Sequence, residues 1–224
     1  MKRTVCAVFD IDDTLYLERD YVQSGFAAVD RWAAKWLCLP NFGERCWQAF
    51  NAGRRRAIFN DVLREFARPA PAELISTLVE VYRTHMPSIT LAPDAIEALA
   101  AISRTASIAV ISDGPAVSQS RKAEALGLDS FASRVILTEL LGSGFSKPHP
   151  KAFEQVQQCC PASVYLYIAD NPLKDFIAPR QLGWTTVRVR RAQGLHYTVE
   201  NPAVSPDHEM TDCAGLPEVL AQLV

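Results

Sequence analysis

The chain has 224 residues and a formal net charge of -2 at pH 7, with 49% apolar and 21% charged residues. A chain of this size buries a core without disulfide or metal staples, and this mixture excludes a disordered tail or a collagen-like fibre. So small a net charge gives no field that would gather nucleic acid or an anionic membrane, so any anionic ligand must be caught by local groups.

The opening MKRTVCAVF holds only a short apolar run that ends in the acidic DIDD. It is too short for a secretion signal or a membrane span, so a cytoplasmic protein is expected. Within it, VCAVF (residues 5–9) is a continuous apolar run rich in β-branched and aromatic residues, which reads as a buried parallel strand. Residues 20–88 carry no such run. Their apolar and aromatic residues, among them Phe26, Val29, Trp32, Trp36, Trp47, Phe50, Phe59, Leu63 and Phe66, recur near helical spacing. Pro40, Pro69, Pro71 and Pro87 divide this stretch into three or four helices, with the tryptophans read as its core.

Beyond the insert the pattern alternates. Helices are expected over 94–103, 115–126, 150–158 and 172–182, and strands at SIAVI (107–111), VYLYIA (164–169) and TTVRVR (185–190). Gly127 and Gly183 stand where helix ends need them. The polar tail over 194–212 reads as a surface wrap, followed by a short helix near 216–223. Strands alternating with helices specify an α/β fold: a Rossmann-like parallel sheet core with helices on both faces, here with an inserted α-helical domain. The expected division is residues 1–19 and 89–224 for the core and 20–88 for the insert. The cysteines, Cys6, Cys38, Cys46, Cys159, Cys160 and Cys213, form no CxxC pair and read as reduced thiols.

In an open parallel sheet, ligands bind beyond the carboxyl ends of the strands. There, directly after VCAVF, stand Asp10, Asp12 and Asp13. Carboxylates this close repel unless a cation or protons offset them, and magnesium, a hard cation that prefers oxygen, suits the role. Taken alone the cluster could equally be a solvated acidic loop. ISDG places Ser112, a hydroxyl able to donate to a phosphoryl oxygen, at the end of the next strand, although SDG is also a common turn. SKPHP offers Lys147 as a point charge for phosphate. IADNPLKD puts Asp170 at another strand end, with Asp175 five residues on.

In that order, DIDDT, ISDG, SKP and DNPLKD resemble the four motifs of the haloacid dehalogenase superfamily, over roughly residues 5–16 and 90–190. The resemblance implies that Asp10 is the nucleophile, Asp12 the general acid and base, and Lys147 a catalytic cation that offsets charge near Asp10. It implies that Thr14 orients Asp12 and, with Ser112, Asp113 and Lys147, belongs to the substrate-binding set; no chemical step is assigned to Asp113 or Asp13. It implies a magnesium ion held by Asp10, the Asp12 backbone carbonyl and Asp170, with Asp175 in support. The insert then corresponds to the family's helical cap, which closes over the site and favours small substrates.

The activity implied is magnesium-dependent hydrolysis of a small phosphorylated metabolite, a sugar phosphate or similar phosphomonoester, through an aspartyl phosphate. The protein would be a monomer or homodimer without nucleic-acid or membrane partners. The DNPLKDFIAPRQLGWTTVRVRR segment is similar to that of phosphatases of sugar and sialic acid phosphates. A phosphomutase of the same fold is the alternative. A metal-independent haloacid dehalogenase, which does not normally carry an acid at the place of Asp12, and a non-catalytic binding module fit less well. Tyr16, Arg19 and Tyr21 are candidate substrate contacts or hinge packing. Arg54, Arg55 and Arg56 read as surface, because consecutive helix positions lie about 100° apart, and His85 and His149 as surface or loop histidines.

Overall fold

The computed structural model describes residues 4–223; residues 1–3 and 224, which the expected core includes, lie outside the described residues. The chain forms two compact units: one runs to Glu18 and resumes at Ile89, and the other is Arg19–Ser88.

The first unit is built on a six-stranded parallel sheet. Its strands are β1 (Val5–Phe9), β2 (Ser107–Ser112), β3 (Arg134–Leu137), β4 (Val164–Ala169), β5 (Thr185–Val189) and β6 (His208–Met210), in the order β3-β2-β1-β4-β5-β6. The register sets Val8 beside Ala109 on one side and Tyr167 on the other. All five residues of β1 are buried, which is why its sequence is continuously apolar: helices cover both faces of a parallel sheet. On one face, α7 (Lys151–Cys159) lays Phe153 and Val156 against Cys6, Val8, Ala109, Ile111 and Tyr167. Elsewhere in the same unit, α5 (Pro93–Ile102) meets β2 and α9 (Leu216–Ala221). From β1 the chain moves outward to β2 and β3, then crosses to β4 on the other side of β1. The order therefore reverses around β1, and in open parallel sheets ligands bind beyond the carboxyl ends of the strands at such a point.

Two strands lie outside the expected elements. β3 and β6 are the sheet edges, short and only partly buried, so they lack the apolar run that betrays an interior strand. The expected helix over 172–182 is also shorter. Asn171 accepts the Leu173 amide through Oδ1, and Asp175 accepts the Asn171 amide. These side chains hold the segment in a turn, and only Ile177–Gln181 (α8) is helical. That helix ends as expected at Gly183, φ 74°, with amide bonds from Gly183 to Arg180 and from Trp184 to Pro179.

The second unit consists of α1 (Glu18–Leu37, entering from the first unit), α2 (Phe42–Asn51), α3 (Ile58–Glu65) and α4 (Ala72–Thr84). Its aromatic core differs from expectation. Phe26 meets the rings of Phe50, Phe59 and Tyr82, and Phe42 meets Phe59 and Phe66. Trp36 is exposed beneath Lys35, while Trp32 and Trp47 are only partly buried. A Cβ at position 43 would lie 2.1 Å from the Phe26 carbonyl oxygen, so glycine there lets α2 touch α1. Arg54 pairs with Glu65 and Arg55 covers the Phe50 ring. His85 is satisfied by the Tyr82 carbonyl and Ser24. The six cysteines are free, and no helix among the described residues is long and apolar enough to cross a membrane.

The sheet core rests heavily on Phe153, which is fully buried and meets Tyr167 and Trp184 edge-on at 5.0 and 5.5 Å between ring centres. Phe153→Ala should therefore cost about 3–5 kcal/mol, read as a lower urea midpoint. A loss below about 1 kcal/mol would place the core elsewhere.

Candidate active site

Asp10, Ser112 and Asp170 stand at the ends of β1, β2 and β4, while Lys147 is brought in by the loop between β3 and α7 and Asp175 by the turn after β4. Asp10 follows β1 directly, its amide bonded to the Ile168 carbonyl at 2.9 Å. The Lys147 ammonium, completely buried, lies 2.7 Å from Asp10 Oδ1 and 2.7 Å from Asp175 Oδ1, and donates to the Tyr167 hydroxyl at 3.1 Å. Burial works against this ammonium, yet Asp10 and Asp175 outweigh it and hold its pKa well above the ordinary lysine value. Asp10 is pushed up to about 7, chiefly by burial, which Lys147 offsets only in part and Asp175 reinforces. Asp170 is raised as well, again by burial, with His196 opposing.

Asp12 occupies the opposite environment. Lys122, on α6 (Ala116–Ala125), places its buried ammonium 2.7 Å from both carboxylate oxygens. Gln119, one turn earlier, donates to Asp12 at 3.3 Å and accepts from Ser112 Oγ at 2.9 Å, and the Tyr16 hydroxyl donates to Asp12 Oδ1. Burial alone would raise the Asp12 pKa, but Lys122, Tyr16 and Gln119 bring it below the usual carboxylate value. Two carboxylates two residues apart are thereby driven in opposite directions, the pattern by which acid and base roles are divided.

Several expected roles change. Thr14 does not orient Asp12: its hydroxyl is buried without a hydrogen-bond partner among the described residues, and Lys122, Gln119 and Tyr16 hold Asp12 instead. Tyr16 is thus tied to Asp12, whereas Arg19 lies over Trp47 and Tyr21 meets Tyr82, both inside the helical unit. Asp113, grouped with the substrate-binding residues, accepts from Thr138 Oγ1, the Lys147 amide and Lys174 Nζ. Its oxygens are committed to holding the Lys147 loop, so it acts as a brace. Asp13 adopts φ 52°, a conformation that aspartate tolerates better than most residues. It accepts the amides of Glu18 and Leu195 at 2.8 and 2.6 Å.

Lys122, Gln119, Tyr167 and His196 were not legible as site residues. Gln119 and Lys122 share one helix face three residues apart, but AVSQSRKAEA surrounds them with other polar residues and nothing singles them out.

Two groups of side chains could hold a metal among the described residues, Asp10 with Asp170 and Asp175, and Asp13 with Asp170 and His196, their ligand atoms within 4.8 Å of one another in each group. In the first group Asp175 is consumed by Lys147, Tyr167 and the Asn171 amide. Asp10 gives one oxygen to Lys147 and Asp170 gives one to His196. The remaining oxygens of Asp10 and Asp170 are hard donors in a buried place with surplus negative charge, and they fit a hard divalent cation.

Against this geometry, residues 5–183 match the model of the haloacid dehalogenase-like hydrolases. The chain belongs to that family and is a hydrolase of its fold. It is 27% identical over 169 residues to the glyceraldehyde 3-phosphate phosphatase of Methanopyrus kandleri, covering 74% of this chain and 72% of that protein. Among solved structures it is similar to the HAD hydrolase YfnB of Bacillus subtilis (TM-score 0.68, 20% identity, 98% of this chain and 99% of that one). It is similar also to a 2-haloacid dehalogenase of Pseudomonas syringae (TM-score 0.67, 20% identity, 99% and 100%). At such identities the structures speak for the fold.

Lys147 is the charge on which the site balances. Lys147→Met leaves two buried carboxylates without their cation, and an uncompensated buried charge costs about 3–5 kcal/mol. Chemical denaturation at neutral pH should show a loss of that size. Wild-type stability in the variant would mean that Asp10 and Asp175 are neutralised by other means.

Proposed function

We propose that the protein is a magnesium-dependent phosphatase that hydrolyses a small phosphorylated metabolite through an aspartyl phosphate on Asp10. The carrying observation is the caged Asp12. A dehalogenase has no use for an acid two residues after its nucleophile, and Lys122, Gln119 and Tyr16 would then enclose it to no purpose. The phosphatase activity named for the Methanopyrus kandleri relative supports the same reading.

Asp10 and Asp170 would hold the magnesium, joined by the Asp12 carbonyl as the family resemblance implies. Bound there it supplies positive charge for the phosphoryl oxygens, without which an anionic nucleophile cannot approach an anionic ester. In the first step an Asp10 oxygen attacks phosphorus, the ester P–O bond breaks, and Asp12 gives its proton to the departing alkoxide. In the second, Asp12 takes a proton from water, whose oxygen attacks phosphorus, and the bond to Asp10 breaks to free phosphate. Lys122 favours the unprotonated form of Asp12, which suits the second step. Arrival of a phosphate dianion opposes Lys122 and raises the proton affinity of Asp12, as the first step needs.

The mechanism is tested with Asp12→Asn and nitrophenyl phosphate. Phenolate leaves unaided, so the first step should survive and the second should slow by about 100- to 10,000-fold, the usual loss for a missing acid or base. A burst of nitrophenolate and a phosphorylated Asp10 in the quenched enzyme are expected by mass spectrometry. Phosphate on a Ser or His would overturn the assignment.

Metal binding should also depend on pH. With Asp10 near 7, the metal-free site carries a proton at pH 6 that magnesium must displace. Calorimetric affinity for magnesium should thus rise from pH 6 to pH 8, with proton release visible at the lower pH from the buffer dependence of the heat. A flat affinity across that range contradicts the raised Asp10.

A further inference from the structure

The segment Gly194–His196 lies beyond the catalytic motifs, and no role follows for it from them. It nevertheless touches two of the acidic residues. The Leu195 amide binds Asp13 Oδ2 at 2.6 Å, and His196 Nδ1 lies 2.8 Å from Asp170 Oδ2. The segment is itself anchored: Arg188, a fully buried guanidinium on β5, donates to the carbonyls of Asp170, His196 and Val199 at 3.2, 3.0 and 2.7 Å. At Gly194 a Cβ would stand 3.1 Å from the Arg191 carbonyl oxygen and 3.4 Å from Asp13 Cγ. A side chain there would crowd the Arg191 carbonyl while lying in contact with Asp13.

The direction of the His196 bond follows from its neighbours. Asn171 Oδ1 accepts the Leu173 amide at 3.0 Å, which orients the side-chain amide and leaves Nδ2 facing His196 Nε2 at 3.2 Å. An NH2 group can only donate, so Nε2 accepts and the ring proton resides on Nδ1. From there it is donated to Asp170 Oδ2. The other Asp170 oxygen is thereby left for the cation it shares with Asp10. The group of Asp13, Asp170 and His196 does not read as a second cation site, because each Asp13 oxygen already accepts a backbone amide.

We infer that His196 is a positioning residue for the metal ligand Asp170: held by Arg188 and Asn171, it fixes one carboxylate oxygen so that the other points at the cation. The inference rests on the magnesium reading above. Hydrogen-bonded partners of metal ligands characteristically contribute about 10- to 100-fold in metal affinity.

Magnesium binding to the full chain, followed by isothermal titration calorimetry without substrate, tests it. His196→Ala should weaken magnesium binding by about 10- to 100-fold, with the deficit made up at high magnesium and the melting temperature of the metal-free protein little changed. His196→Asn places an amide donor where Nδ1 stands and should recover most of the affinity. His196→Gln, whose longer side chain carries its amide past that point, should not. Equal affinities for the Asn and Gln variants, or wild-type affinity in His196→Ala, overturn the inference, and the Asn and Gln pair decides it even if the alanine variant does not fold. Asp170→Ala distinguishes the two levels of the argument. If it binds magnesium like the wild type, the metal reading itself fails. If it loses binding while His196→Ala does not, only the role of His196 is lost.

Discussion

One buried ammonium, Lys147, sets the terms for the rest of the site. It sits 2.7 Å from each of two carboxylates that come from different strand ends, Asp10 after β1 and Asp175 after β4. A buried charge is tolerated only when paired and hydrogen-bonded, so the placement of Lys147 depends on the two acids that flank it. The Tyr167 hydroxyl accepts a further hydrogen bond from the ammonium, and Asp113 fixes the Lys147 amide from the neighbouring loop. The parallel sheet matters here because its register brings β1, β2 and β4 to a common edge, where loops far apart in sequence can share one cation.

Around that pair the protein sorts its acids by their surroundings. Asp10 has one ammonium neighbour and heavy burial, so it remains hungry for further positive charge. Asp12 has an ammonium on both oxygens plus two more donors, so its demand is met from within the chain. Asp13 is spent on the backbone and Asp175 on Lys147. The four acids are chemically identical side chains. Their different functions come from what each is bonded to, and the spacing of the DIDD segment does no more than place three of them at one strand end.

This explains what could be read from sequence. The interior strands were legible because β1, β2 and β4 are buried over most of their length and read as apolar runs, while β5, despite its buried Thr186 and Arg188, still shows Val187 and Val189. The edge strands β3 and β6 are half wet and carry no such mark. The break in the helix expected over 172–182 depends on the side chains of Asn171 and Asp175 competing for backbone amides, which no periodicity records. At the site, acids at strand ends stood out because charge there is unusual. Lys122 and Gln119 did not, since a polar residue on a polar helix looks like a solvent-facing one until the neighbouring loop is seen. Thr14 shows the converse. Its place in DIDDT suggested a bond to Asp12, but the turn through Asp13 at positive φ carries its hydroxyl into the interior.

The match to the family ends at residue 183, whereas Arg188, Leu195 and His196 all lie after it. Part of the masonry that supports the motif acids is therefore written outside the stretch that carries them. For recombination between relatives this has a practical meaning. A chimera joined near Gly183 would inherit every acid and the lysine of the motifs, yet its Asp13 and Asp170 would face a foreign wall. Such a junction looks conservative by motif inheritance and is not so mechanically, whereas a crossover after Glu200 would keep both acids and their tethers in the same parental block.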